Sequence, residues 1–285
     1  MHTTSADAQQ GWGPLSVAVS GTAGAQPSGA QQHVETPSAI ADPAGGWCML
    51  TLRWPGLCPS GLGRIDSIVE WHAPGPSGPW SYVGLARSAE FPWEGYWLRV
   101  EQVESARSIV QGGPMEPALF AHGGNLRALF AGHSTWNGDG GVNAWGLRIG
   151  AMERRAPAAW VALSARPVIP RGVADAWDSA LVSHVCVEPH PQGGLLAAYA
   201  GGSGSVPTGP TGIGLAWSSD GGLTWAKHPR NPVLASGPSG TWDAGNFGGP
   251  SLRWDAARTR WVLHYHGEAT IAWADLQIGM AEAAQ

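Results

Sequence analysis

The sequence predicts an all-β chain folded as a β-propeller of five four-stranded blades, its ring closed by an N-terminal strand. Three observations carry this expectation. Glycine (42) and proline (23) punctuate short apolar runs along the 285 residues. The segment Arg166–Asp178, "RPVIPRGVADAWD", aligns without a gap on Asn231–Asp243, "NPVLASGPSGTWD". The turn "SSDGGLTW", Ser218–Trp225, has a worn copy, "ERRAPAAW", Glu153–Trp160, one repeat earlier.

The composition comes first. So much glycine and proline raises the question of disorder, but 43% of the chain is hydrophobic and 17 residues are tryptophan. Disordered chains lack aromatic groups to bury. Many turns between short apolar runs read instead as many short strands. Only 13% of residues are charged, against about 25% in ordinary soluble domains. The net charge is −5, the basic residues are scattered, and Lys227 is the one lysine, so no basic stripe suits a nucleic acid. No run approaches the ~20 apolar residues of a membrane span. The N-terminus has neither a basic stretch nor an apolar core of the secretory kind. The chain as given is expected to be soluble and cytoplasmic, or secreted if a signal peptide has been removed, with no membrane partner. Cys48, Cys58 and Cys186 show no paired spacing, which argues for buried thiols over a disulfide framework or zinc site. Nothing calls for a metal or a cofactor.

The repeat sets the architecture. Both copies read Pro-Val-aliphatic, then Gly, then Trp-Asp, and lead into an apolar run: "SALVSHVCVEP" (Ser179–Pro189) or "GGPSLRW" (Gly248–Trp254). A second strand follows, "LLAAYAGGS" or "WVLHYHGE". A third comes next: "LRIGAMER" (Leu147–Arg154), "GIGLAWSS" (Gly212–Ser219) or "LQIGMAEA" (Leu276–Ala283). A Trp-containing turn and a fourth strand complete the unit. Val34–Trp54 and Met115–Ser134 fit as first and second strand pairs of earlier units, Tyr82–Glu90 resembles a third strand, and a degenerate fifth unit is placed between Pro79 and Val110. Repeated units of four short strands are the mark of a propeller. The last unit shows three strands, and "LSVAVS" (Leu15–Ser20) is expected to supply the fourth and remove a free edge. Residues 31–285 are thus read as a single propeller domain, and residues 1–30 as a partly flexible segment that supplies the closing strand.

"SSDGGLTW" resembles the Asp-box turn of sialidase-like propellers. The longer stretch "GLAWSSDGGLTWAKHPRNPVL…GTWD…GGPSLRWD…WVLHYHG" is similar to the blades of five-bladed glycoside hydrolases, the arabinanase/xylosidase and invertase-like families. The resemblance covers about residues 145–285. Within the Asp-box the residue chemistry favours scaffold: Asp220 accepts backbone hydrogen bonds in its own turn, Gly221 and Gly222 permit positive φ, and Trp225 packs between blades.

What the resemblance implies about function lies on the first strands, which line the central channel of such propellers. Their residues, with the turns entering them, are His33 and Glu35, then Glu116, then Asp178 and His184, then Asp243 and Asn246. Glu35, Glu116, Asp178 and His184 are the catalytic candidates. His33, Asp243, Asn246, Tyr199, His264 and His266 are the substrate-binding candidates, with Trp136 as a loop aromatic suited to sugar stacking. Glu35 and Glu116 each stand just ahead of a proline that opens an apolar run, and glycoside hydrolysis needs paired carboxyls. The family's first-blade Asp-Pro step does not map: Asp42-Pro43 falls in a turn. The function expected is glycosidase-like action on a neutral small-molecule or oligosaccharide substrate. Two alternatives stand beside it: a non-hydrolytic acid–base enzyme of cyclase or isomerase type acting on a hydrophobic small molecule, and a carbohydrate-binding protein without turnover.

Overall fold

The computed structural model describes residues 33–54, 63–94, 110–134, 147–203, 209–270 and 276–284. Alternating apolar residues and glycine turns fold these segments into antiparallel sheets set side by side around a channel. The first sheet has the order β1 (His33–Ala41), β2 (Trp47–Trp54), β4 (Ser67–Ala73), β5 (Ser81–Arg87). The short β3 (Gly63–Ile65), between β2 and β4, leaves that sheet and runs parallel to β6 (Val110–His122). The second sheet continues through β7 (Asn125–Ser134), β8 (Arg148–Ala156) and β9 (Ala159–Ala162). The third is β10 (Leu181–Pro189), β11 (Leu195–Gly202), β12 (Gly212–Ser218) and β13 (Ala226–Lys227), with β14 (Leu234–Ala235) also on β12. The fourth is β15 (Asn246–Asp255), β16 (Arg260–Glu268) and β17 (Gln277–Ala284).

The architecture is a propeller, and among the described residues it has four blades where five were expected. The stretch from Pro79 to Val110 makes no sheet of its own among those residues. Its first part is β5, the outermost strand of blade one, so Tyr82–Glu90 supplies a fourth strand where a third was expected. The reason is local: β4 offers its edge to the very next apolar run, and short hairpin connections are favoured over longer ones. The proposed closing strand, Leu15–Ser20, lies outside the described residues.

Each strand faces both neighbouring blades, so its alternate residues feed two cores. On β7, Leu126, Ala128 and Phe130 join Cys48, Leu50 and Ile68 of blade one. Leu129, on the other face, joins Val182, Leu195 and Ala197 of blade three. Ala198 and Ile213 of blade three pack on Phe247 and Leu263 of blade four. The period of two along a strand thus becomes the adhesion between blades.

One module recurs in blades two, three and four. A Trp-acid pair ahead of the first strand, Trp93-Glu94, Trp177-Asp178 or Trp242-Asp243, lays its indole on an aromatic of the second strand. The partners are Phe130, Tyr199 and Tyr265, at ring centroid distances of 5.9, 5.7 and 5.7 Å. A glycine on the third strand, Gly150, Gly214 or Gly279, makes room: a Cβ on any of them would collide with both rings. Asp178 accepts from Tyr199 Oη at 3.0 Å and from Lys227 Nζ at 2.5 Å. Burial first, then Asp178, pushes the Tyr199 hydroxyl up. Glu94 is bound by Arg87 at 2.6 Å and by the amides of Glu90 and Phe91.

The turns between third and fourth strands fix one blade to the one before it. In the Asp-box, Asp220 Oδ1 accepts from Ser218 Oγ and from the amides of Leu223 and Thr224, and Oδ2 accepts from Thr224 Oγ1. Its slight burial would raise the carboxyl, but these donors bring it down to about 2. The Gly221 carbonyl accepts from Arg127 of blade two at 2.7 Å. The worn copy has lost those internal bonds and ties across the interface with charge instead. Arg154 binds both oxygens of Asp42, at 2.7 and 2.6 Å, and Glu70 Oε1 at 3.0 Å, both acids in blade one. Glu70 is fully buried and also accepts from Ala158 N and Trp160 Nε1.

Removing Arg154 would strand two buried carboxylates. Arg154→Ala is expected to lose about 3–5 kcal/mol in urea unfolding. Arg155→Ala, which removes a side chain 60% exposed beside Glu153, is expected to lose under about 1 kcal/mol. Equal losses for the two would contradict this account.

Candidate functional site

The innermost strands, β1, β6, β10 and β15, each carry a register break: between Glu35 and Ser38, Met115 and Ala118, Ser183 and Cys186, and Gly248 and Ser251. At each break one residue takes a left-handed backbone: Thr36 (φ 48°), Glu116 (53°), His184 (44°) and Gly249 (56°). A bulge re-aims its side chain, and here four bulges aim at one place. The cavity they share has a volume of about 390 Å³ and is bordered by all four strands. Non-glycine residues in this region cost on the order of 1–3 kcal/mol and persist where the surroundings impose them, often at functional sites.

Glu116 and His184 meet there. His184 Nε2 lies 3.0 Å from Glu116 Oε1, and the His184 backbone N–H donates to Oε2 at 2.7 Å. His184 Nδ1 meets Ser183 Oγ at 3.0 Å. Burial is the largest influence on Glu116 and pushes it up. The charge of His184, its two hydrogen bonds and the charge of His133 outweigh burial, so the carboxyl is held below its ordinary value. On His184 burial again leads and opposes the charge, and Glu116 again wins, raising the imidazole. The pair is an ion pair, 9% exposed at the Glu116 side chain and 22% at His184, with its open side on the cavity.

Blade four adds a second imidazole. The His266 ring stands edge-on to His184, with centroids 5.8 Å apart. It lies so close to Gly249 that a Cβ there would overlap the ring, so glycine at the fourth bulge lets a second-strand histidine reach the channel. Burial, then His184, holds His266 below its ordinary value, against the pull of Glu116 and Glu268. Glu268 is buried. The constellation is therefore His133, Glu116, His184, His266 and Glu268, drawn from three blades. Such a set can take up and deliver protons and bind hydroxyl groups.

The remaining sequence candidates are placed as follows. Glu35 is exposed, and the bulge register puts Thr36, not Glu35, opposite Glu116 in the blade pattern. Asp178 and Tyr199 bond each other in the Trp-acid module of blade three. Asp243 takes the matching place in blade four, where Thr241 Oγ1 donates to it at 2.8 Å. His264 is exposed on β16. Asn246 is buried at the N-terminal end of β15, and its amide has no hydrogen-bond partner among the described residues. The side chain of His33 and the whole of Trp136 lie outside the described residues. Glu268 and His133 were not singled out by the sequence. Glu268 follows directly on "WVLHYHG", and alternation from His266 along the strand is the unused signal for it.

Among the described residues, one group elsewhere has metal-ligand types. Cys48, Glu70 and His72 place ligand atoms within 4.8 Å of one another. Arg154 Nη1 already stands 3.0 Å from Glu70 and 2.8 Å from His72 Nε2, so a guanidinium fills the place of a cation. Burial, then Glu70, raises the Cys48 thiol and keeps it protonated.

No family model matches the chain, and no curated protein matches it. Solved structures do. A structure described as a glycoside hydrolase is 17% identical with a TM-score of 0.59, over 88% of this chain and 71% of its own. A thermostable family-43 glycoside hydrolase is 14% identical with a TM-score of 0.57, over 87% of this chain and 71% of its own. An N-acetylgalactosamine deacetylase from F. plautii, in complex with blood group B trisaccharide, is 14% identical with a TM-score of 0.57. It covers 99% of this chain and 80% of its own. At these identities the likeness establishes the fold: the chain has the propeller that glycoside hydrolases use.

The ion pair makes stability depend on pH in a defined way. The Glu116 contribution is present above its ordinary 4.5 and is lost as pH falls through its lowered value. That of His184 is present below its ordinary 6.5 and is lost as pH rises through its raised value. The stability difference between wild type and Glu116→Gln, measured by urea unfolding, is expected to be greatest between pH 4.5 and 6.5 and to shrink on both sides. A difference independent of pH would mean that the pair is not ionised.

Proposed function

We propose that the protein is a glycosidase-like hydrolase acting on a neutral sugar substrate bound in the central channel, with Glu116 as the residue on which turnover depends. The observation that supports it most is a buried carboxylate, held ionised, on a left-handed bulge at the edge of a channel cavity, in a fold that glycoside hydrolases share. Glycoside hydrolysis needs one carboxyl that protonates the leaving oxygen and one that activates water or attacks the anomeric carbon. A carboxyl kept below its ordinary value suits the second task, so Glu116 is the base or nucleophile. Glu268, which acts with Glu116 on His266, is the second carboxyl of the reading and the proton donor. Glu35 is the alternative second carboxyl that the sequence offers. Low charge in the chain suits a neutral substrate, and the structural neighbours include a GH43 endo-arabinanase from Bacillus licheniformis and an alpha-L-arabinofuranosidase from Lactobacillus brevis.

A second reading has its own support. The near partner of Glu116 is an imidazole at 3.0 Å, not another carboxyl. Carboxylate and imidazolium together form a base and an acid for proton transfer without hydrolysis.

The test is turnover of a panel of aryl glycosides and oligosaccharides by wild type, Glu116→Gln and Glu268→Gln. Hydrolysis by wild type, reduced about 10²–10⁴-fold by each substitution, is the expected result. Hydrolysis insensitive to Glu268→Gln but lost in His184→Gln would move the proton donor to His184. No hydrolysis of any member by the wild type would overturn the glycosidase reading and leave the acid–base one.

A further inference from the structure

Blades one, two and three each end on an outer strand, β5, β9 and β13, whereas β17 of blade four has β16 on one side and no strand on the other among the described residues. Beside the same strand runs a groove of about 860 Å³, bordered by Val233 and Leu234 of blade three and by Trp261, Leu263, Ala281 and Ala283 of blade four. An open strand edge next to an apolar groove is a template for one more strand.

We infer that the segment Leu15–Ser20, "LSVAVS", docks on this edge as the outer strand of blade four. Its alternation gives one face of Leu15, Val17 and Val19 and another of Ser16, Ala18 and Ser20, so a single strand lays an apolar row into the groove and small groups outward. The geometry allows it. Strand β1 begins at His33 and shares the channel cavity with β15. From β15 the β17 edge is two strand spacings away, about 10 Å. The residues between Ser20 and His33 reach up to about 40 Å when extended. The inference is independent of the catalytic reading.

Hydrogen exchange on the full chain tests it. Alternate amides of β17 point away from β16 and are protected only if another strand accepts them. Protection of these amides, unchanged by dilution and in a species of monomer mass, is the expected result. Val17→Pro and Ala18→Pro remove N–H groups that point in opposite directions, so at least one is expected to speed exchange of the β17 edge about tenfold while leaving β12 unchanged. Three results would overturn the inference. The outward amides could exchange freely in the full chain. Their protection could grow with protein concentration, which would make a second copy the occupant. Or neither proline could alter them.

Discussion

The bulge in each innermost strand is the constraint on which the rest of the site depends. A regular strand would send its side chains alternately into the two neighbouring blade interfaces and leave the channel lined by backbone. One left-handed residue per strand breaks that alternation and turns a single side chain inward. The four residues so placed are Thr36, Glu116, His184 and Gly249. They differ in what they present: a small hydroxyl, a carboxylate, an imidazole, and a glycine that makes way for His266 from the strand behind. The same bulges also bind the ring. The Leu119 amide donates to Ser38 Oγ, the His184 amide to Glu116 Oε2, and the Leu252 amide to Cys186 Sγ. Each is a bond from the backbone of one innermost strand to a side chain of the strand before it. Candidate chemistry and ring cohesion therefore share the same few residues.

Around this centre, the blades hold together by two devices that vary in residue type but not in position. The Trp-acid module keeps its indole and its third-strand glycine in three blades, while the acid changes from Asp to Glu and the second-strand ring from Tyr to Phe. What it requires is a flat ring against a flat ring with no Cβ between them. The turn after the third strand is served by an Asp-box in blade three and by buried charge in blade two. The Asp-box satisfies its backbone within itself and offers one carbonyl outward. The worn copy is not an eroded version of the same solution: Arg154 replaces internal hydrogen bonds with an interface ion network centred on Asp42 and Glu70. Loss of a motif in sequence here marks a change of mechanism at a conserved place in the architecture.

Much of this was legible in the sequence, and the remainder was hidden for physical reasons. The repeat fixed the register of the blades because Trp-Asp and the third-strand glycine are demanded by packing. Trp93-Glu94 escaped because Glu stands where Asp was looked for. The blade count was read as five by giving the stretch after Pro79 a sheet of its own, yet β5 lies on β4 of blade one. At the site, Glu35 and Glu116 look alike because each precedes a proline, but Thr36 intervenes in the first case. A one-residue slip sends a strand side chain to the other face, and no proline pattern reveals which residue carries the left-handed turn. Glu268 lies far from Glu116 in the chain and joins it only when the ring brings blades two and four around one axis, whereas His133 stands on β7, the hairpin partner of β6 in the same blade, and no motif marked it.

The dual service of Glu116 narrows what it can do. One carboxylate oxygen accepts a backbone amide and the other an imidazole, so protonation of either oxygen would cost a charge-assisted hydrogen bond in a buried place, worth more than a neutral one. Such a group is a poor proton donor at neutral pH, and a constrained but able acceptor. Any proton delivered to a leaving group in this channel must then come from elsewhere: His133, His184 and His266 lie within electrostatic reach of Glu116, and Glu268 within reach of His266. His266 is held below its ordinary value by burial and by the neighbouring imidazole, whereas Glu116 raises His184, so His266 is less ready than His184 to carry a proton at neutral pH. In the proposed glycosidase reading, acid and base roles are separated between blades: the acceptor is Glu116 of blade two, and the donor assigned to it is Glu268 of blade four, with His184 of blade three as the alternative. The relative placement of blades two, three and four, set by the same bulges and inter-blade bonds, becomes the quantity that this chemistry depends on.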